Sequence, residues 1–188
     1  MIFYLLILFV GGGTIFYVTT IYNGLVALRN DIDKSWANID VLLKQRHDEV
    51  PRLVEVCKGY MQYEQETLQT LVQARTRSLA AATVDQKVQA SGNLSASVIK
   101  LFAVAENYPA LQANASFIEL QKRITELENQ IADRREFYND AINLFNTRLQ
   151  QMPDTLIARF FGLQPRLMFV VSAADKAPVN LAFTPTRN

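Results

Sequence analysis

The feature that most constrains this chain is an uncharged run, IFYLLILFVGGGTIFYVTTIY, from Ile2 to Tyr22. As a helix it is roughly 32 Å long, enough to cross a hydrocarbon layer of about 30 Å. No water is available there to pair backbone N–H and C=O groups, so a lone span must be helical. Tyr4, Tyr17 and Tyr22 suit the headgroup level at its two ends. The competing reading is a cleaved signal peptide, which calls for basic residues before the run and a small-x-small site after it. Only Met1 precedes the run, and Val18-Thr19-Thr20 leads directly to Tyr22-Asn23. A retained transmembrane anchor over residues 1–23 is therefore expected.

Gly11, Gly12 and Gly13 fall in the middle of the span, where glycines let helices approach closely in lipid. Being consecutive, they form no single G-x-x-x-G stripe, and a tolerated soft point competes with helix packing. Arg29 and Lys34 follow the span and no Lys or Arg precedes it, which places the body in the cytoplasm by the positive-inside rule.

Beyond the anchor the chain is patterned for an all-α fold. Leu25, Leu28, Ile32, Trp36, Ile39 and Leu43 recur at steps of three and four, one face of a helix that continues from the span. Pro51 lacks an N–H and disfavours helix at Val50, so a turn or sharp kink is expected near His47–Val50. A second helix is expected from Pro51 to Ala82, with Leu53, Val56, Cys57, Tyr60, Leu68, Leu71 and Leu79 facing the core. Residues 80–94 are weakly patterned and interrupted by Gly92; periodicity returns at Val98, Leu101, Phe102 and Val104 and stops at Tyr108-Pro109.

The clearest element starts at Ser116 with Glu119 three residues on, a capping box. Phe117, Leu120, Ile124, Leu127, Ile131, Tyr138, Phe145 and Met152 follow at heptad-like steps. Arg134 and Arg148 interrupt the heptad, and Ala141, Ile142 and Leu149 shift the stripe sideways. That drift fits an antiparallel bundle better than an extended coiled coil. After Pro153, Asp154 is placed to cap a short helix, TLIARFFG, which Gly162 would end. Leu167–Val171 reads as a brief strand, and the end is expected to be extended and partly disordered. The organisation is then an anchor at 1–23, a bundle of long helices at 24–166 and a tail at 167–188.

Chemistry-bearing constellations are sparse. The 19 Lys+Arg against 18 Asp+Glu argue against a nucleic-acid binder, which shows a focused basic excess. With one histidine, His47, no Glu-x-x-His pair exists for a di-iron centre. His47-Asp48-Glu49 reads as a solvated turn. Met61 and Met152 at helical spacing read as core and not as haem ligands. The single cysteine, Cys57, has Val54 and Val56 as apolar neighbours and reads as a buried structural thiol. Phosphate-binding and nucleophile-elbow motifs do not occur. Glu106, Glu128, Arg75, Arg134 and Arg135 either pair across the bundle or form solvated faces with weak surface pairs, the latter being favoured for most. No catalytic, cofactor-binding or metal-binding residue is therefore assigned, and no cofactor.

These residues resemble the LemA family of bacterial membrane-anchored helical proteins. The resemblance opens with YNGLVALRNDIDKSWANIDVLLKQRHDEVPRLVEVCKGY, Tyr22 to Tyr60. It resumes with LFAVAENYPALQANASFIELQKRITELENQIADRREFYNDAINLFN, Leu101 to Asn146, and closes with MPDTLIARFFG and PVNLAF. Glu49 departs from the pattern, holding a position that is apolar in the family's turn. The resemblance implies a helical bundle at the bacterial inner membrane and a membrane metalloprotease as a candidate partner; no catalytic activity is established for the family, so no active site carries over. The expected function is a non-enzymatic scaffold or adaptor that touches membrane lipid and assembles as a homo-oligomer or with a membrane protein. The alternative is a cofactor-binding or catalytic bundle whose site another chain completes. Leu156, Ile157, Phe160 and Phe161 are the expected interaction surface, because a seven-residue helix cannot hide all four.

Overall fold

A computed structural model describes residues 1–169. Every regular element in that range is helical: α1 Ile2–Lys58, α2 Gln65–Ala80, α3 Val84–Ala105, α4 Pro109–Gln112, α5 Ala115–Gln150 and α6 Asp154–Phe160. The all-α expectation holds. Residues 170–188, including the expected strand's last two positions and most of the tail, lie outside the described residues.

α1 and α5 form the long axis of the molecule and run antiparallel. Near the membrane Ile21 and Leu25 share an apolar cluster with Leu149 and Ile157. At the far end Val50, Leu53 and Cys57 share one with Phe117 and Ile124. The buried stripe of α5 is Phe117, Ile124, Ile131, Tyr138 and Phe145 at steps of seven. Its companion shifts from Leu127 to Ile142 and Leu149, the sideways drift read from the sequence. The hairpin α2–α3 flanks only the distal half, bringing Leu68, Leu71, Leu94, Val98 and Leu101 into the far cluster. The distal half is thus four helices thick, and the membrane-proximal half is a narrower pair.

After α6 the chain turns back along that narrower pair. Asn146 and Asn139, two turns apart on α5, each grip one backbone unit of this extended segment. Asn146 Nδ2 donates to the Arg166 carbonyl at 2.8 Å and its Oδ1 accepts from Arg166 N–H at 2.9 Å. Asn139 does the same for Phe169, at 3.0 and 2.7 Å. Phe169 is buried beside Trp36, so Leu167–Phe169, placed with the tail by sequence, is extended but pinned to the bundle.

Three local expectations are corrected. Pro51 does not break the chain: α1 is one helix of 57 residues, about 85 Å long. The missing N–H at position 51 would have bonded the His47 carbonyl, and Arg75 Nε from α2 donates to that carbonyl at 2.8 Å instead. The second helix consequently begins at Gln65, not Pro51. Ser116 and Glu119 form no cap. Asn114 does, its Oδ1 accepting from Phe117 N–H at 3.0 Å, which leaves Ser116 one residue inside the helix. A capping box exists elsewhere, at Thr83 and Gln86, and it starts α3 inside the stretch that looked unpatterned. Gly92 is carried within α3. Gly162 does end α6, at φ +68°, a backbone state that favours glycine.

Candidate functional site

The apolar run at the start of α1 is long and apolar enough to cross a membrane, and residues 2–17 of it stand exposed. The bundle begins where the run ends. Val18 and Tyr22 pack against the same cluster as Leu149, Ile157 and Ala158. The Phe161 ring lies 4.3 Å from that of Tyr22. Arg148, which breaks the heptad, lies against Gly24 and binds Asp154 at the start of α6. Asp154 therefore serves as an ion-pair partner and makes no side-chain cap.

Of the four residues expected as an interaction surface, the fold divides the work. Ile157 faces inward. Phe161 leans on Tyr22 with 46% of its surface exposed, while Leu156 and Phe160 remain 58% and 85% exposed. Gly11, Gly12 and Gly13 lie on open helix surface: a Cβ added at any of them meets nothing within 4 Å.

A second constellation lies inside the distal half. Leu25, Ile32, Ile39, Arg46 and Leu53 follow at steps of seven on α1, and all five are buried. Arg46, fully buried, thus occupies a core position of the seam. Its Nη1 donates to Glu128 Oε1 at 2.7 Å and to Ser95 Oγ at 2.8 Å, and its Nη2 to Ser91 Oγ at 2.8 Å. Glu128 also accepts from Ser95 Oγ, and Arg135 Nη2 donates to Ser91 Oγ. Two hydroxyls and one carboxylate so replace the hydration that a buried guanidinium loses. Sequence reasoning did not reach Arg46, although extending the Leu25–Ile32–Ile39 step by seven leads to it. Of the five charged candidates, Glu128 and Arg135 enter this cluster and Arg75 holds the His47 carbonyl. Arg134 lies over the Phe137 ring, and Glu106 is exposed.

His47 is buried on the next residue, its Nε2 2.8 Å from Ser78 Oγ. It is no solvated turn. Burial, then the neighbouring Arg46 and Arg75 charges, lower its pKa to about 4, so the ring is neutral near pH 7. Burial pushes the Cys57 thiol up to about 11, as befits a structural cysteine. Among the described residues no group of three His, Cys, Asp or Glu side chains is arranged to hold a metal ion. At the distal tip an open groove of about 830 Å³ runs between α1 and α2, past Met61, Tyr63, Leu68 and Val72.

Comparison with known proteins agrees with this architecture: the LemA family model matches residues 35–183. The chain belongs to the LemA family. Among its relatives, protein LemA of Metamycoplasma hominis is 23% identical, over 95% of this chain and 83% of that protein. Magnetosome protein MamQ 2 of Paramagnetospirillum magneticum is 22% identical, over 84% of this chain and 68% of its own length. Magnetosome protein MamQ of Magnetospirillum gryphiswaldense is 19% identical, over 87% and 71%. The match begins within α1, well after the apolar run, so the family signature belongs to the bundle. With the apolar helix in front of it, this LemA-family chain is a membrane-associated helical protein.

Proposed function

We propose that this LemA-family protein is a non-enzymatic scaffold or adaptor of the bacterial inner membrane, with its bundle on the cytoplasmic side. It works as an oligomer or with a membrane partner such as a metalloprotease. The observation that carries this reading is the continuity of α1 from Ile2 to Lys58. One helix is both the span and a core strut of the bundle, so no flexible linker separates the bundle from the span. The strong polar groups inside, Arg46, Glu128, His47 and Ser78, are engaged with one another. What the protein offers outward is surface: the open span with its three glycines and the groove at the distal tip of the bundle.

Mild detergent extraction, native mass measurement and mass spectrometry of co-purifying proteins test the assignment. The expected result is a mass of several chains, or a stoichiometric membrane-protein partner. A single-chain mass in both detergent and lipid nanodiscs, with no partner, defeats it, and a stoichiometric bound metal or haem favours a cofactor-binding bundle instead. For the topology, a reporter fused after Asn188 is expected to be cytoplasmic; periplasmic phosphatase activity reverses the orientation.

A further inference from the structure

The end of the bundle that meets the span carries an apolar surface that the described residues leave uncovered. α5 runs antiparallel to α1, so its C-terminus and the turn into α6 point back toward the bilayer. The level of α6 is fixed by the stacking of Phe161 on Tyr22, the last residue of the apolar run. If the hydrocarbon layer takes about 20 residues of helix, Val18–Tyr22 lies at its boundary, and α6 lies beside it. Met152, Leu156 and Phe160 are all more than half exposed at this level, and exposed Arg159 stands among them. The other charge of the turn, Asp154, is tied to Arg148.

We propose that α6 and the turn before it form a membrane-surface wedge. Leu156, Phe160 and the free side of Phe161 immerse in the boundary between headgroups and acyl chains of the same bilayer that α1 crosses, with Arg159 at the phosphate level. The occupant of this face is lipid. A short helix with one inward face (Ile157, Ala158) and one outward apolar face with a basic residue has the chemistry of an interfacial element. Here the span supplies the membrane attachment, and the wedge adds a second contact off the α1 axis. A lone span can rotate and tilt; a span with a wedge beside it holds the bundle in one orientation. This inference rests on the membrane anchoring of α1 and not on the scaffold reading.

The test uses the full chain in lipid nanodiscs, in a Cys57→Ala background, with an environment-sensitive fluorophore on a single cysteine. The probed position is Leu156→Cys; Phe9→Cys reports the span and Tyr63→Cys the exposed distal tip. The label at 156 is expected to lose quenching by aqueous iodide and to gain quenching by lipids brominated near the headgroup. The label at 63 is expected to behave in the opposite way. Iodide quenching at 156 equal to that at 63 overturns the wedge. So does a label shielded from iodide yet unquenched by brominated lipid, which signals a second protein chain there. Phe160→Ser, which removes a ring that is 85% exposed and set edge-on against Phe161, is expected to restore iodide quenching at 156 while helicity is kept; shielding that persists counts against the proposal. A label at 9 open to iodide would mean that the span itself is not inserted, a failure of the anchor and hence also of the wedge.

Discussion

Arg75 Nε donates to the carbonyl of His47 at 2.8 Å, reaching from α2 to the one α1 carbonyl whose in-helix donor is missing because residue 51 is proline. A proline inside a helix costs about 3 kcal/mol through its lost bond and its ring. The lost bond is replaced here from a neighbouring helix, and the strut stays whole between membrane and tip.

Arg75→Met leaves that carbonyl bare in a part-buried position and is expected to destabilise the bundle by about 1–3 kcal/mol. In a Pro51→Ala background the helix supplies its own N–H, so the same change is expected to cost less than about 1 kcal/mol. Urea unfolding of the four chains, followed by helical circular dichroism in mild detergent, gives the coupling. Equal losses in both backgrounds would refute the substitution of one donor for another.

Arg46 and Glu128 form an ion pair with one partner fully buried and the other 25% exposed. Arg46→Met takes the cation away from the Glu128 carboxylate, which keeps the Ser95 hydroxyl, and breaking such a pair costs about 3–5 kcal/mol, nearer the lower figure because Glu128 touches water. Replacing both, Arg46→Met with Glu128→Leu, is expected to recover much of the loss. Unfolding midpoints check this, and a double variant less stable than Arg46→Met would contradict it.

His47 gives the bundle a pH dependence of definite sign. Its pKa falls from 6.5 to about 4 in the folded chain, so between those values the unfolded chain binds the proton more readily. Its contribution is fully present above pH 6.5, declines as pH falls toward about 4, and is gone below that. His47→Gln is expected to flatten this part of the stability profile, measured as urea midpoint against pH. An unchanged slope would locate the titration elsewhere.

Cys57 is expected to resist alkylation while the bundle is folded, because burial raises its pKa to about 11 and removes access. Maleimide should label it only in denaturant. Rapid labelling of the native protein would show that the distal core opens.

Much of this architecture is legible in the chain itself. An uncharged run of membrane length has only one backbone state open to it, so the leading helix follows from composition. α5 follows from its apolar steps, and Gly162 marks the stop of α6, because periodicity and a glycine-favoured φ are local properties. The expectations that failed are those where a distant residue supplies what the local sequence lacks. Pro51 signals a break until Arg75, 24 positions away, furnishes a donor; Ser116 and Glu119 look like a cap until Asn114 takes that role two residues earlier.

The apolar steps of α1 say where a core position falls, but not that it will hold an arginine. Arg46 is tolerated there because Ser91, Ser95 and Glu128 converge on it from α3 and α5, an arrangement that exists only after the helices have packed. The placement of α6 has the same origin. Its sequence predicts four large apolar side chains in search of cover; tertiary packing turns Ile157 inward, leans Phe161 on Tyr22 and leaves Leu156 and Phe160 exposed beside the end of the apolar run. Helix formation and hydrophobic length act over one to six turns, so sequence alone determined the leading apolar helix, the long α5 and the stop of α6. Which charges are buried, and which apolar side chains are left exposed, depends on groups brought together across the bundle, and only the tertiary structure decided that.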